Sequence, residues 1–225
     1  MIGVLAHIRN RANRFAQEED GTTLVEFALA IIIFLLLFLG SLDFGRFLLH
    51  YYHAERAMHI ATRIAVVRPA VCPIPPDHFA RAPDVSLPTP QFGTNCSDPS
   101  SPCRVEPPVT CTAGTIDPKS LGYQTAQEIW DIVGAAFPPG TQIDDIEFTY
   151  AYDSNLGFLG GPYTPQVTVE LTGARFRFLT PLGRFSQLVG ATPNTTLDGF
   201  SDEGFAFPVM GVTMPGEDLN LGTGG

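Results

Sequence analysis

Glu26 is the only ionisable residue between Thr22 and Leu42, a mostly apolar stretch close to the roughly 20 residues that cross a hydrocarbon core. Two kinds of chemistry suit a carboxylate there. Locally, Thr23 as N-cap and Glu26 three residues on form a T-x-x-E capping box, which satisfies two orphan amides where a helix starts. Gly21, five residues upstream, adds another possibility, because glycine lets an extended backbone approach a protease with no side chain in the way.

The other reactive side chains lie beyond this stretch. Cys72, Cys96, Cys103 and Cys111 are spaced 24, 7 and 8 residues apart, which matches no CxxC zinc pattern. In a proline-rich setting they suit disulfides formed in an oxidising compartment. Three pairings are open, with metal binding or free thiols as alternatives. His50 and His53 share a helical face and His59 follows, but no H-E-x-x-H spacing or partnering carboxylate completes a metal set, and none is expected. These histidines, beside Tyr51 and Tyr52, fit an aromatic belt at a membrane boundary. Asp153 to Gly157 resembles the start of a calcium loop but lacks the terminal glutamate, so a turn is expected. Asp144, Asp145, Asp202 and Glu203 would serve as a general-acid pair only if folding joined two of them in a cleft. No P-loop, G-x-S-x-G or dinucleotide glycine motif is present, so neither catalysis nor a cofactor is expected. With a formal net charge of −10 and no basic cluster, the chain has no electrostatic footprint for nucleic acid.

These residues must be carried by an anchored α+β protein. The apolar run is too long for a removable signal and lacks a small-x-small cleavage site, so it reads as a retained membrane helix. Arginines flank it on both sides (Arg9, Arg11 and Arg14; Arg46, Arg56 and Arg63), so orientation is taken from the cysteines, which place the C-terminal part outside the cytoplasm. No proline interrupts the chain before Pro69, and a helix from Thr22 to Arg68 would be about 70 Å long. Its protruding half is amphipathic, with Ala54, Ala57, Met58, Ala61, Ile64 and Ala65 forming a stripe that needs a sheet to cover it.

The expected segments are a leader (1–21), a membrane helix (22–42), its extension (43–68), a Cys/Pro-rich loop region (69–119), an α+β domain (120–215) and a flexible tail (216–225). Within the domain, Ser120 to Phe137 reads as a short helix, and Ile146 to Tyr152 and Gln166 to Leu171 alternate as half-buried strands. Gly173 marks a bend before Phe176 and Phe178, and Phe205 to Met214 reads as a last strand assigned to an edge by Pro208. Asp43 and Arg46, three residues apart, are expected as a surface ion pair at the membrane boundary.

A basic leader, the acidic Glu18-Glu19-Asp20, Gly21 and Glu26 ahead of a long apolar helix resemble the class III prepilin signal. That resemblance implies cleavage by prepilin peptidase between Gly21 and Thr22, which would make Glu26 the fifth residue of the mature chain. More narrowly, Gly21, Val25, Glu26, Phe27, Ala28, Leu29, Asp43, Phe44, Gly45, Arg46, Ala61 and Arg63 resemble the TadE-like family of minor pilins or pseudopilins of the tight-adherence (Flp) pilus. "VTVEL…FRFLTPLGRF", Val167 to Phe185, is similar to that family's strand and T-P turn, whereas the cysteine- and proline-rich insert lies outside the family pattern. The family implies a pilin-like fold with a long transmembrane and amphipathic helix packed on a small antiparallel sheet, here with a disulfide-tied Pro-rich loop. It also implies a single-pass protein of the bacterial inner membrane, with or without incorporation in a surface pilus. Its partners would be prepilin peptidase, major and other minor pilins, an inner-membrane assembly platform and membrane lipid. The alternative is a bitopic sensor or adhesion ectodomain that binds a ligand through its Cys-rich loop; an envelope hydrolase would need converging acids in a pocket.

Overall fold

With no proline to break it, helix α1 (Thr22–Ala65) runs for 44 residues, about 66 Å at 1.5 Å per residue. The computed structural model describes residues 22–73, 77–83, 89–179, 205–217 and 219. Gly21, the leader, Asp202, Glu203 and most of the expected tail lie outside these residues. The helix stops three residues short of Arg68, where the chain tightens: the Val67 amide donates to Ile64 O at 3.2 Å, ahead of Pro69.

The sheet is built from β1 (Val109–Thr112), β2 (Ile146–Ala151), β3 (Gln166–Leu171) and β6 (Met210–Pro215), ordered β1-β2-β3-β6 and antiparallel throughout. Its inner face carries Ile146, Phe148, Tyr150, Val167, Val169 and Leu171, all buried. Its outer face is polar, with hydroxyl pairs Thr110–Thr149 at 3.0 Å and Thr168–Thr213 at 2.8 Å. A separate ribbon pairs β4 (Arg175–Phe176) with β5 (Phe205–Ala206). The single strand expected from Phe205 to Met214 is thus two: Pro208, which has no amide proton to donate, lies between β5 and the edge strand β6.

Within the expected loop region, Val109–Thr112 forms β1. It follows Pro107-Pro108 and, among the described residues, pairs on one side only, with β2, as a strand next to prolines can do at an edge.

Helix α2 (Leu121–Val133) is capped by Ser120, whose hydroxyl accepts the Tyr123 amide at 3.1 Å. Gly134 then starts a tighter turn, Gly134–Ala136, so the helix is shorter than the expected Ser120 to Phe137. α2 packs on α1 and on the chain that leaves it. A Cβ at Gly122 would lie 2.6 Å from the Ala70 carbonyl oxygen, so only glycine allows this approach.

The inner stripe of α1 is Ala54, Ala57, Met58, Ala61 and Ala65, all buried against β3, β6 and α2. Its alanines let the helix axis come close to the sheet. Buried Thr62 sits on this face, its hydroxyl donating to Met58 O at 2.8 Å and lying 3.4 Å from Val212 O.

The cysteines pair as Cys72–Cys111 and Cys96–Cys103. The first ties the chain leaving α1 to β1. The second lies in a smaller core of Phe79, Leu159 and Tyr163, at the end of the sheet away from the apolar run. Here the insert is laced to the β2–β3 connection: Phe79 N donates to Gly161 O at 2.8 Å, Gly160 N to Phe79 O at 2.9 Å, and Leu159 N to Thr94 O at 2.9 Å. Gly157 has φ +94°, and a Cβ there would collide with the Phe79 ring.

Candidate functional site

Between Leu24 and Leu42 most side chains of α1 are exposed, with Leu24, Phe27, Ile33 and Leu37 at 63–71%, while Ile31 and Leu36 are half-buried and Gly40 is buried. Each such side chain gains about 1.5–3 kcal/mol on leaving water, so this half of the helix requires an apolar environment that the described fold does not provide. By length and composition it can cross a membrane. Glu26 and Val25 are exposed on it. Thr23 lies within helix α1, which already includes Thr22.

Immediately above the uncharged run the helix is gripped. Asp43, expected at the surface, is buried to 2% exposure. Its Oδ1 accepts from Arg46 Nη1 at 3.1 Å and from the Leu179 backbone amide at 3.2 Å. The ion pair is therefore part of a tertiary junction, because the chain beyond β4 folds over it. A carboxylate taking a backbone amide and a guanidinium is a charge-assisted arrangement, stronger than one between neutral groups.

Aromatic rings continue this grip up the helix. Phe44 meets Phe178 at 5.8 Å between centroids, Phe47 meets Phe176 at 5.4 Å, His50 lies 5.7 Å from Phe176, and Tyr51 lies 6.3 Å from Phe207. The Arg46 guanidinium sits 5.6 Å from the Phe176 ring centre. The β4–β5 ribbon thus forms a collar along one side of residues 43–51. Arg175 and Arg177, alternating with Phe176, are exposed on its outer side and line a cleft of about 190 Å³ together with Gly140, Gln142 and Asp145. Asp145 is engaged there, its Oδ2 accepting the Gln142 amide at 2.7 Å.

Other sequence-predicted residues take plainer places. Gly45 faces open space. Ala61 is in the core, and Arg63 is the basic residue of the last turn of α1, favourable beside its terminal carbonyls. His53 and His59 are exposed, and among the described residues no three His, Cys, Asp or Glu side chains are grouped to hold a metal ion. Asp153 makes an Asx turn, accepting the Asn155 amide at 2.9 Å, and also receives Gln166 Nε2 at 2.7 Å.

Sequence reasoning missed the Leu179 amide and the Tyr150 hydroxyl. The latter accepts the Val71 amide at 2.9 Å where the chain leaves α1. Burial pushes the Tyr150 phenol up to about 12. Only the alternation of Phe176 and Phe178 hinted at the collar.

An apolar helix mostly bare in its first half and laid on an antiparallel sheet in its second makes an α+β fold. Residues 21–63 match the family model described as TadE-like protein. The N-terminal segment is thus TadE-like, and the match spans both Glu26 and the Asp43–Arg46 junction. No curated protein and no solved structure matches the chain.

Proposed function

We propose that this chain is a structural, non-enzymatic minor pilin of a tight-adherence pilus, held in the inner membrane by the lower half of α1 before assembly, with its disulfide-bonded domain outside the cytoplasm. The TadE-like segment supports a Tad pilus-associated role in general. The observation that carries the reading is the mostly bare apolar half-helix with Glu26 near its start. In lipid or in a bundle of such helices, an unpaired carboxylate is costly and needs a cation. Cleavage after Gly21 by prepilin peptidase supplies one: a new ammonium at Thr22, which meets Glu26 of a neighbouring subunit and sets axial register. Helix packing among subunits, major pilin included, then offsets the cost of leaving lipid at the assembly platform.

The mass of the membrane-extracted chain tests the first step, with a mature N-terminus at Thr22 expected; an intact leader would support a bitopic anchor instead. Glu26→Gln should leave cleavage and domain folding intact and reduce fibres sheared from cells by about tenfold or more, as loss of a buried charge pair implies. Unchanged piliation would remove the registry role.

A further inference from the structure

We propose that the collar along residues 43–51 is a seat for anionic phospholipid headgroups, holding the globular domain at a fixed height on the bilayer surface; this rests on the reading that the lower half of α1 spans a membrane. The first argument is position. Phe178 meets Phe44, the second residue beyond the uncharged run, and Phe176 and Phe207 step up the helix to Phe47 and Tyr51. Those eight residues rise about 12 Å, whereas the headgroup layer is about 5–8 Å deep on each side of the core. The collar therefore overlaps that layer.

Chemistry is the second argument. The chain has 13 Lys and Arg against 23 Asp and Glu, yet at this level it presents Arg177 together with Arg46, whose Nη1 is paired with the inward-turned Asp43 carboxylate at 3.1 Å. Guanidinium groups bind phosphate in a bidentate fashion, and aromatic rings favour the interface just above the acyl chains. Asp145, the described carboxylate lining the cleft with Arg177, is held by the Gln142 amide. Continuity is the third. Exposed apolar surface does not end at Leu42 but passes through Phe44 and Leu48 on the helix to Leu179, which is 79% exposed beside the arginines. A mixed apolar and cationic rim directly above a lipid-crossing helix suits a negatively charged membrane surface.

Tryptophan quenching by brominated lipids tests this in the full chain reconstituted in phosphatidylcholine vesicles with and without phosphatidylglycerol. The unsubstituted chain, whose one tryptophan is Trp130, provides the baseline. Phe34→Trp reports the span through deep bromines, and Leu179→Trp reports the collar through bromines near the glycerol. We expect quenching of Leu179→Trp to rise at least about twofold with phosphatidylglycerol and to fall back when Arg177→Gln is added or salt is raised, with Phe34→Trp constant. Quenching of Leu179→Trp that is absent, or insensitive to both phosphatidylglycerol and Arg177→Gln while Phe34→Trp is quenched, would overturn the headgroup seat alone. Loss of quenching at Phe34→Trp would overturn the membrane span and the seat together.

Discussion

The two halves of α1 belong to one uninterrupted helix and have opposite surroundings. Below Asp43 the side chains are mostly large and branched or aromatic and mostly exposed; above it, Ala54, Ala57, Met58 and Ala61 are 0–2% exposed and fit against β3, β6 and α2. Residue size marks the difference. Small side chains let a sheet approach the helix, while bulky ones leave it to be covered by something fluid or by other helices. The Asp43 junction stands where one regime gives way to the other.

The largest expected effect breaks the upper half by cutting its covalent tie. Replacing Cys72 and Cys111 by Ser opens a link across 39 residues and should lower stability to urea by about 2–5 kcal/mol. Cys96→Ser with Cys103→Ser opens a link across only 7 residues and should cost less, since shorter loops restrain the unfolded chain less. Equal losses would show that the smaller core matters as much as the main one.

Next in size is a paired substitution that sets the two halves against each other. Ala61→Leu should destabilise the domain in detergent by about 1–3 kcal/mol through overpacking. Ile33→Ala in the lower half should shift it by less than about 0.5 kcal/mol. A large effect of Ile33→Ala on the thermal midpoint would mean that the lower half also supports the domain.

The smallest effect concerns pH. The folded phenol of Tyr150 is raised to about 12, so the fold favours the protonated form. Its contribution is fully present below the unfolded value near 10 and is lost as pH rises from there through about 12, roughly 1 kcal/mol by pH 11. Urea midpoints at pH 9 and 11 should differ less in Tyr150→Phe than in the parent chain.

Much of this arrangement was legible in the sequence, for local reasons. The charge-free run and the absence of proline announced α1; the alternation of Ile146, Phe148 and Tyr150, and of Val167 and Val169, announced the two central strands. Strand β1 stayed hidden because four residues behind two prolines carry too little pattern. The burial of Asp43 was illegible because its amide partner, Leu179, is 136 residues away. An i,i+3 pair looks the same in sequence whether or not a distant segment folds over it. Cysteine pairing was likewise set by long-range closure, here the meeting of the α1 exit with the sheet edge.

The Cys72–Cys111 bridge also has a mechanical side. Tension applied to α1 along its axis loads the β3 and β6 contacts in shear, where many weak interactions share it. Whatever load passes the helix end goes through covalent bonds to β1, on the opposite margin of the sheet, without relying on a hydrogen-bonded ladder to carry it. The sheet is thus clamped from both margins, and a chain drawn by its helix moves as one body.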